Sequence, residues 1–312
     1  MDLITNWLAN SPDFAIPYAL AALGLILTER SGVLSLGAEG LMLVGALVGV
    51  GVQLACGVSG ISLLVAMLAA GVVSLLFALM VIVLRVNQVI AGLALVFFCQ
   101  GLTSLGGTLF GWTNQAITGI SALPLGFLAE IPLIGRALFA QNMVVYLTIP
   151  IFILVTLYLN RSMTGLKMRA VGENPQAADA AGISVAWVRL GAVVAGAMLV
   201  GLAGAYLSVV STKLWVAGMT GGRGWIAVGL VIFARWSPWR ALAGAFLFGC
   251  IEALIPQLAA AGIKLPQYFV LMTPYAVTLA VMIWVALAKS GAGLVVGEPG
   301  ALGQPYVREE RG

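Results

Sequence analysis

The chain has 312 residues, 62% of them hydrophobic and 8% charged, with 39 glycines, no histidine and a net charge of +4. With a mean hydropathy of +1.09, this is not the composition of a water-soluble globular domain. The lack of histidine and a total of three aspartates, two of them near the start, leave few residues for acid–base or metal catalysis.

A bilayer core about 30 Å thick needs about 20 apolar residues per helix at about 1.5 Å each. Apolar runs of that kind are predicted at 15–28, 36–55, 61–84, 89–109, 143–159, 185–210, 225–234, 241–258 and 268–288. The expected fold is therefore all-α: one polytopic helical membrane domain over residues 1–312, with about nine (8–10) transmembrane helices. The run at 225–234 is too short to cross alone. It reads as a broken or tilted helix, or as half of a re-entrant pair with the Gly221–Gly222 turn. The opening MDLITNWLANSPDF lacks a basic stretch and a small-residue cleavage site, so the first membrane helix is expected to act as the insertion signal. Loop 110–141 carries Trp112, Asn114, Pro124, Glu130, Pro132 and Arg136 and suits a short surface helix that meets a substrate-delivering partner. The tail 290–312 is too short to bury a core. Cys56, Cys99 and Cys250 sit in or beside apolar runs without CxxC spacing and read as buried thiols.

Basic residues orient the chain. With the polar hairpin 164–183 in the cytoplasm, eleven of the fifteen basic residues fall on that side, among them Arg30, Arg85, Arg161 and Arg235. Arg136, Lys213, Arg223 and Lys264 remain outside. The expected N-terminus is outside and the C-terminus cytoplasmic. Orientation in the membrane, not nucleic-acid binding, accounts for the positive charge.

Small residues recur every fourth position: Gly45 with Gly49, then Ala197, Gly201 and Ala205, then Ala241, Ala245 and Gly249. Such rows allow close helix approach, within the chain or at a dimer seam. Polar residues inside the spans are costly, at least ~2.5 kcal/mol for a charge at the bilayer centre. Glu39 and Glu252 are the charged cases; Gln53, Asn87, Gln88, Gln100, Thr103 and Ser104 are milder. Glu39, Asn87, Gln88, Gln100 and Thr103 are candidates for a polar translocation path. The alternative is a structural role in turns, caps and helix-to-helix bonds. For Glu39, between Gly37 and Gly40, the two readings stand level. Gln100 and Thr103 are expected on one helix face. Phe97, Phe98, Trp112 and Asn114 offer rings and amides to a solute, or anchor the helices at the interface. An ion-coupled secondary transporter would need Glu39 or Glu252 as its ion site.

The hairpin TGLKMRAVGENPQAADAAGI, residues 164–183, holds Lys167, Arg169, Glu173 and Asp179 between two apolar runs. Thr164 is expected to cap a first short helix, 165–171, with Gly172 as its left-handed stop. Asn174 caps a second, with Pro175 at its first position and Gly182 just past its end. Ala177, Ala178 and Ala181 form a small smooth face. A short capped helix of this kind suits a groove on a protein outside the membrane, with Arg169 reaching that partner. A merely solvated turn would need no such capping.

This hairpin resembles the coupling loop of permease subunits of ABC importers, in the branch that handles nucleosides, simple sugars and branched-chain amino acids. ERSGVLSLGAEGLMLVGAL, residues 29–47, and RVNQVIAGLAL, residues 85–95, resemble further stretches of that family, and the first favours its nucleoside (purine) or simple-sugar subgroup. The resemblance covers about 15–288. It implies a non-enzymatic permease of a bacterial plasma membrane that moves a small polar solute. It implies four sets of partners or cofactors: a second, non-identical permease, a cytoplasmic ABC ATPase, ATP and Mg in that ATPase, and an extracytoplasmic binding protein. The chain has no Walker A motif and would itself bind no cofactor and no metal. Carried over residue by residue, the coupling loop 161–184 places the ATPase-coupling role on Gly165, Arg169, Gly172, Glu173, Asn174, Pro175, Ala178 and Gly182.

Overall fold

The computed structural model describes residues 2–123, 139–260 and 297–307, together with the isolated positions 137, 262, 272, 276, 279, 280 and 283. Ten helices lie among the described residues: α1 (Asp2–Glu29), α2 (Ala38–Cys56), α3 (Ser59–Ala78), α4 (Gln88–Leu109), α5 (Met143–Arg161), α6 (Met163–Glu173), α7 (Pro175–Ala180), α8 (Val185–Ala205), α9 (Arg223–Ala234) and α10 (Pro238–Ala260). Two of them run on into π turns, α3 through Leu79–Val83 and α8 through Tyr206–Ser211. Seven of these helices are long and apolar enough to cross a membrane. The expected span at 268–288 lies outside the described residues, as do Pro124, Glu130, Pro132 and Arg136 of loop 110–141.

The apolar pattern places α1, α2 and α8 at the centre. Tyr18, Leu20, Leu23, Leu25 and Ile26 of α1 are fully buried, and α8 is covered along most of its length. α3, α4, α5 and α10 surround them and keep broad apolar faces exposed, Leu64, Leu68 and Val72 of α3 among them. Such faces match hydrocarbon as solvent. The four-residue rows work as crossings within the chain: Gly45 of α2 lies directly on the Gly201 backbone of α8, and Gly249 of α10 lies on Ala15 of α1. Where lipid provides no hydrophobic drive between helices, close backbone contact supplies the dispersion attraction.

Two expectations change. α1 begins at Asp2, well before residue 15, and passes through Pro12 and Pro17. A proline in a helix removes a hydrogen bond and is usually costly. Here tertiary contact offsets that: α1 is gripped by α10, and Trp7 Nε1 donates to the Cys250 carbonyl at 2.6 Å. Loops also do more than connect. Residues 31–37 climb along α4, with Leu34 N–H donating to Gln88 Oε1 at 2.6 Å and Leu36 packed on Gly92.

The bundle has two distinct ends. At one, Asp13 accepts hydrogen bonds from the Tyr206 hydroxyl, from Ser211 Oγ at 3.0 Å and from Asn142 Nδ2 at 3.2 Å, tying α1, α5 and the π turn after α8 together. At the other, which carries Arg30, Arg85, Arg161 and Arg235 and is here termed the basic end, the α6–α7 hairpin closes the bundle. Residues 297–307 lie across that end: Ala301 N–H donates to the Gly172 carbonyl at 2.9 Å and Gly303 N–H to the Gly32 carbonyl at 3.3 Å.

The short segment resolves into a half-span. After α8 the chain meets the loop beyond α4 (Asn114 N–H to the Trp215 carbonyl, 2.9 Å), then turns back into the bundle through Gly218, Gly221 and Gly222. All three have positive φ, which glycine adopts without strain. α9 then runs 12 residues, about 18 Å at about 1.5 Å per residue, to the basic end.

Candidate functional site

Two polar regions stand out, one outside the spans and one within them. The first is the hairpin. α5 stops at Ser162, whose extended backbone turns the chain and whose Oγ accepts from Gly165 N–H at 2.9 Å. Ser162, not Thr164, is therefore the cap of α6. The first helix also continues through Gly172 to Glu173, so Gly172 is not its stop. The reason is local packing: Gly172 sits against the Arg30 carbonyl, and a side chain there would collide with it. Asn174 serves both helices. It ends α6, and its Oδ1 accepts from Ala177 N–H at 2.9 Å to cap α7, with Pro175 in the first position. Gly182, at φ +82°, closes the unit, donating its N–H to the Asp179 carbonyl at 2.9 Å.

The hairpin has two faces. Gly165, Met168, Val171, Gly172 and Ala178 point into the bundle; Val171, Ala178 and Val185 form a small core with Tyr306 against it. Ala178 thus leaves the smooth outer face, and Ala177, Ala180 and Ala181 remain exposed on it. Met163 and Leu166 add large exposed apolar side chains at 70% and 52% exposure. Arg169 is half-buried with Nε unpartnered among the described residues. Glu173 is exposed and accepts from Gly300 N–H at 3.2 Å. Arg30 lies beneath; burial pulls its guanidinium below the ordinary value, Glu173 opposing and Arg169 adding to the effect. Sequence reasoning missed Met163 and Leu166, although two large apolar residues in a stretch otherwise outside the membrane are a signal it could have used.

The second region is where α2 and α9 begin. Glu39, buried in the first turn of α2, accepts at Oε1 from Thr220 Oγ1 at 2.6 Å and Gly222 N–H at 2.9 Å, and at Oε2 from Gly224 N–H at 2.7 Å. A carboxylate on the unsatisfied N–H groups of a helix start meets both the hydrogen-bond deficit and the helix dipole. Next to it Arg223 pairs with Glu252 of α10, whose Oε2 accepts from the buried Tyr18 hydroxyl at 2.8 Å. Four chain segments, in α1, α2, residues 220–224 and α10, thus share one polar network. Its sequence signal is a short match: GAEGLMLVG at 37–45 and GGRGWIAVG at 221–229 follow the same pattern, with Glu39 and Arg223 at the equivalent place.

The remaining candidates divide. Asn87 caps α4, accepting from Val89 N–H at 2.9 Å and Ile90 N–H at 3.2 Å. Gln88 is buried and bridges residues 31–37 to the Gln304 carbonyl. Gln53 is also engaged inside, donating to the Thr118 carbonyl at 2.6 Å. Gln100 and Thr103 do not share a face: Thr103 turns inward onto the Cys99 carbonyl at 2.7 Å, and Gln100 is exposed. Gln100 instead lies beside Phe97, Gly101, Ser104 and Thr108 on one open side of α4. The thiols also diverge from expectation: Cys99 is buried, but Cys56 is exposed and Cys250 half-buried. Among the described residues no cluster of acidic, cysteine or histidine side chains can hold a metal.

Seven helices long and apolar enough to span, a half-span joined to a half-buried ion pair, and a capped hairpin outside the spans make this a polytopic helical membrane protein with one rigid exposed element. Comparison with known proteins identifies the kind. Residues 8–287 match the family model of the branched-chain amino acid transport system / permease component, and the chain belongs to that family. It is 39% identical to a putative glucose ABC transporter permease protein of Haloferax volcanii, over 93% of this chain and 94% of that one. It is 31% identical to the guanosine ABC transporter permease protein of Bacillus subtilis, over 96% and 95%. It is also 31% identical to the nucleoside ABC transporter permease protein of Lactococcus lactis, over 88% and 90%. No solved structure matches the chain. As a permease component of an ABC transporter, the protein works with ATPase and binding-protein partners.

Proposed function

We propose that this chain is one of two non-identical permease subunits of an importer for a small hydroxylated solute, a nucleoside or a simple sugar. The observation that carries the reading is the two-faced hairpin. One face is locked to the bundle through Gly165, Gly172 and Ala178; the other offers Leu166, Ala177 and Ala181 to a partner. An element that only joined two helices would need neither the shared Asn174 cap nor an exposed apolar face. The partner is a cytoplasmic ATPase that binds ATP and Mg, which puts the basic end and the C-terminus in the cytoplasm and the N-terminus outside. The excess of basic residues at that end supports the same orientation. ATP binding changes the spacing of the ATPase pair, and a rigidly held hairpin must follow, switching the permease pair between outward and inward openings.

The second permease fits the open side of α4. Gln100, Ser104 and Thr108 face that side beside Phe97, and such hydroxyl and amide groups suit a shared water-lined path better than lipid. The relatives named for guanosine, nucleosides and glucose support a solute bearing a ribose or hexose. An extracytoplasmic binding protein would deliver it at the Asp13 end.

The test uses the complete complex with Leu166→Asp and Ala177→Glu in this subunit. The expected outcome is normal membrane insertion with ATPase co-purification and substrate-stimulated ATP hydrolysis reduced about tenfold or more, the effect of at least one lost contact worth about 1.4 kcal/mol. Normal hydrolysis in both variants would overturn the assignment of the hairpin. Stimulation by guanosine, by glucose or by neither, with the cognate binding protein present, decides the solute class.

A further inference from the structure

A second built site lies at the basic end, apart from the exposed hairpin face and the α4 stripe. Between the end of α3 and the start of α8 is a cavity of about 220 Å³, lined by Arg85, Asp179, Ser184, Arg189 and Tyr306 among others. Arg189 is 2% exposed: Nε donates to the Ser31 carbonyl, Nη1 to the Gln304 carbonyl, and Nη2, closed in beside Gly32, has no hydrogen-bond partner among the described residues. A guanidinium buried this deeply carries its charge at a cost that a nearby anion lowers. Arg85 sits at the cavity edge at φ +56° and forms no ion pair among the described residues. Among the described lining residues, two guanidiniums and the Asp179 carboxylate leave one net positive charge, the complement of a single phosphodiester.

The cavity shares Ile82 and Ala186 with an adjoining groove that is almost wholly apolar, lined by Leu75, Leu79, Val83, Trp187 and Leu190. Leu79 and Val83 are exposed at 48% and 65%, and Trp187 at 73%. The groove runs along membrane-spanning helices, so what fills it comes from the bilayer. An indole at a span end marks the headgroup level.

From this we infer that the pocket between α3 and α8 binds an anionic phospholipid, its phosphate on Arg85 and Arg189 and an acyl chain in the groove beside Trp187. Basic pockets between membrane helices hold acidic headgroups by this combination of charge and apolar contact. Free phosphate would satisfy the arginines but would leave the groove unused. The lipid would also brace the hairpin, because Asp179 and Tyr306 line the same cavity.

The test is native mass spectrometry of the full chain in detergent, titrated with phosphatidylglycerol, phosphatidylcholine or glycerol 3-phosphate. Expected is one phosphatidylglycerol held at least about fivefold more tightly than phosphatidylcholine, with Arg85→Gln reducing that preference about fivefold, the effect of one basic residue at a lipid surface. Trp187→Ala is expected to weaken phosphatidylglycerol binding and leave glycerol 3-phosphate unchanged. Arg85 and Trp187 are exposed, so both variants are expected to fold, and melting temperature is read alongside. Equal retention of the two lipids, unchanged binding in Arg85→Gln, or glycerol 3-phosphate bound as tightly as the lipid would each overturn the inference. None of these outcomes bears on whether the hairpin docks an ATPase.

Discussion

The hairpin at the basic end and the junction of α2 with α9 are both polar islands in an apolar chain, yet they are built in opposite ways. The hairpin is local. Ser162, Asn174, Pro175 and Gly182 satisfy its helix ends from within about 20 residues, and its outer face is left open. The junction is assembled from afar: Glu39, Thr220, Arg223, Glu252 and Tyr18 come from α1, α2, α10, the start of α9 and the turn before it, and the carboxylates are engaged. An open polar surface invites a partner, whereas a closed one holds helices in register. An ion-coupled transporter would require Glu39 or Glu252 to exchange its partners for a cation. Three donors on Glu39 and the Arg223 pair on Glu252 oppose that exchange.

Three substitutions separate the two regions, and a fourth sets both against the open side of α4. The largest effect is expected for Arg223→Met, which strands Glu252 and should lower stability by about 3 kcal/mol, the low end for a buried pair because both side chains are partly exposed. Adding Glu252→Met should recover much of the loss. Thermal unfolding in nanodiscs reads both, and a double variant no better than the single one would show that the ion pair is not what matters. Next is Glu39→Gln, expected to cost about 1.5–3 kcal/mol, because a charge-assisted cap is lost and the amide NH₂ must face an N–H donor of α9. The same unfolding assay checks it, alongside transport. Asn174→Ala follows at about 1 kcal/mol, with its larger consequence in ATPase co-purification. Asn174→Asp keeps the capping oxygen and should restore assembly. Smallest in stability is Gln100→Leu, within about 0.5 kcal/mol because the side chain is exposed. Its uptake rate should fall if the open side of α4 lines the path, and unchanged uptake would remove Gln100 from it.

Legibility followed the distance over which each feature is determined. The second hairpin helix was readable because capping is a relation between residues three apart: Asn174 to Ala177, Pro175 at the start, Gly182 at the end. The first was misread at both ends, since Ser162 and Thr164 are equally good caps on paper and only the turn after α5 selects one. Gly172 looks like a helix stop until the Arg30 carbonyl is placed against it. Ala178 belonged to the outer face until Tyr306, from the far end of the chain, joined the core beneath it. Gln100 and Thr103 were grouped by spacing, but the packing of α4 on α2 turned Thr103 inward.

The membrane class, the positions of most spans and the existence of a capped element between 161 and 184 were determined by the sequence alone. Those properties depend on composition and on neighbours within one or two helical turns. Tertiary structure decided which carboxylate serves which helix, which face of α4 is open, and how residues 297–307 and the loop at 31–37 close the basic end. These depend on contacts between residues as far apart as Gly32 and Gly303, where small residues let backbones meet and where buried charge must find its partner.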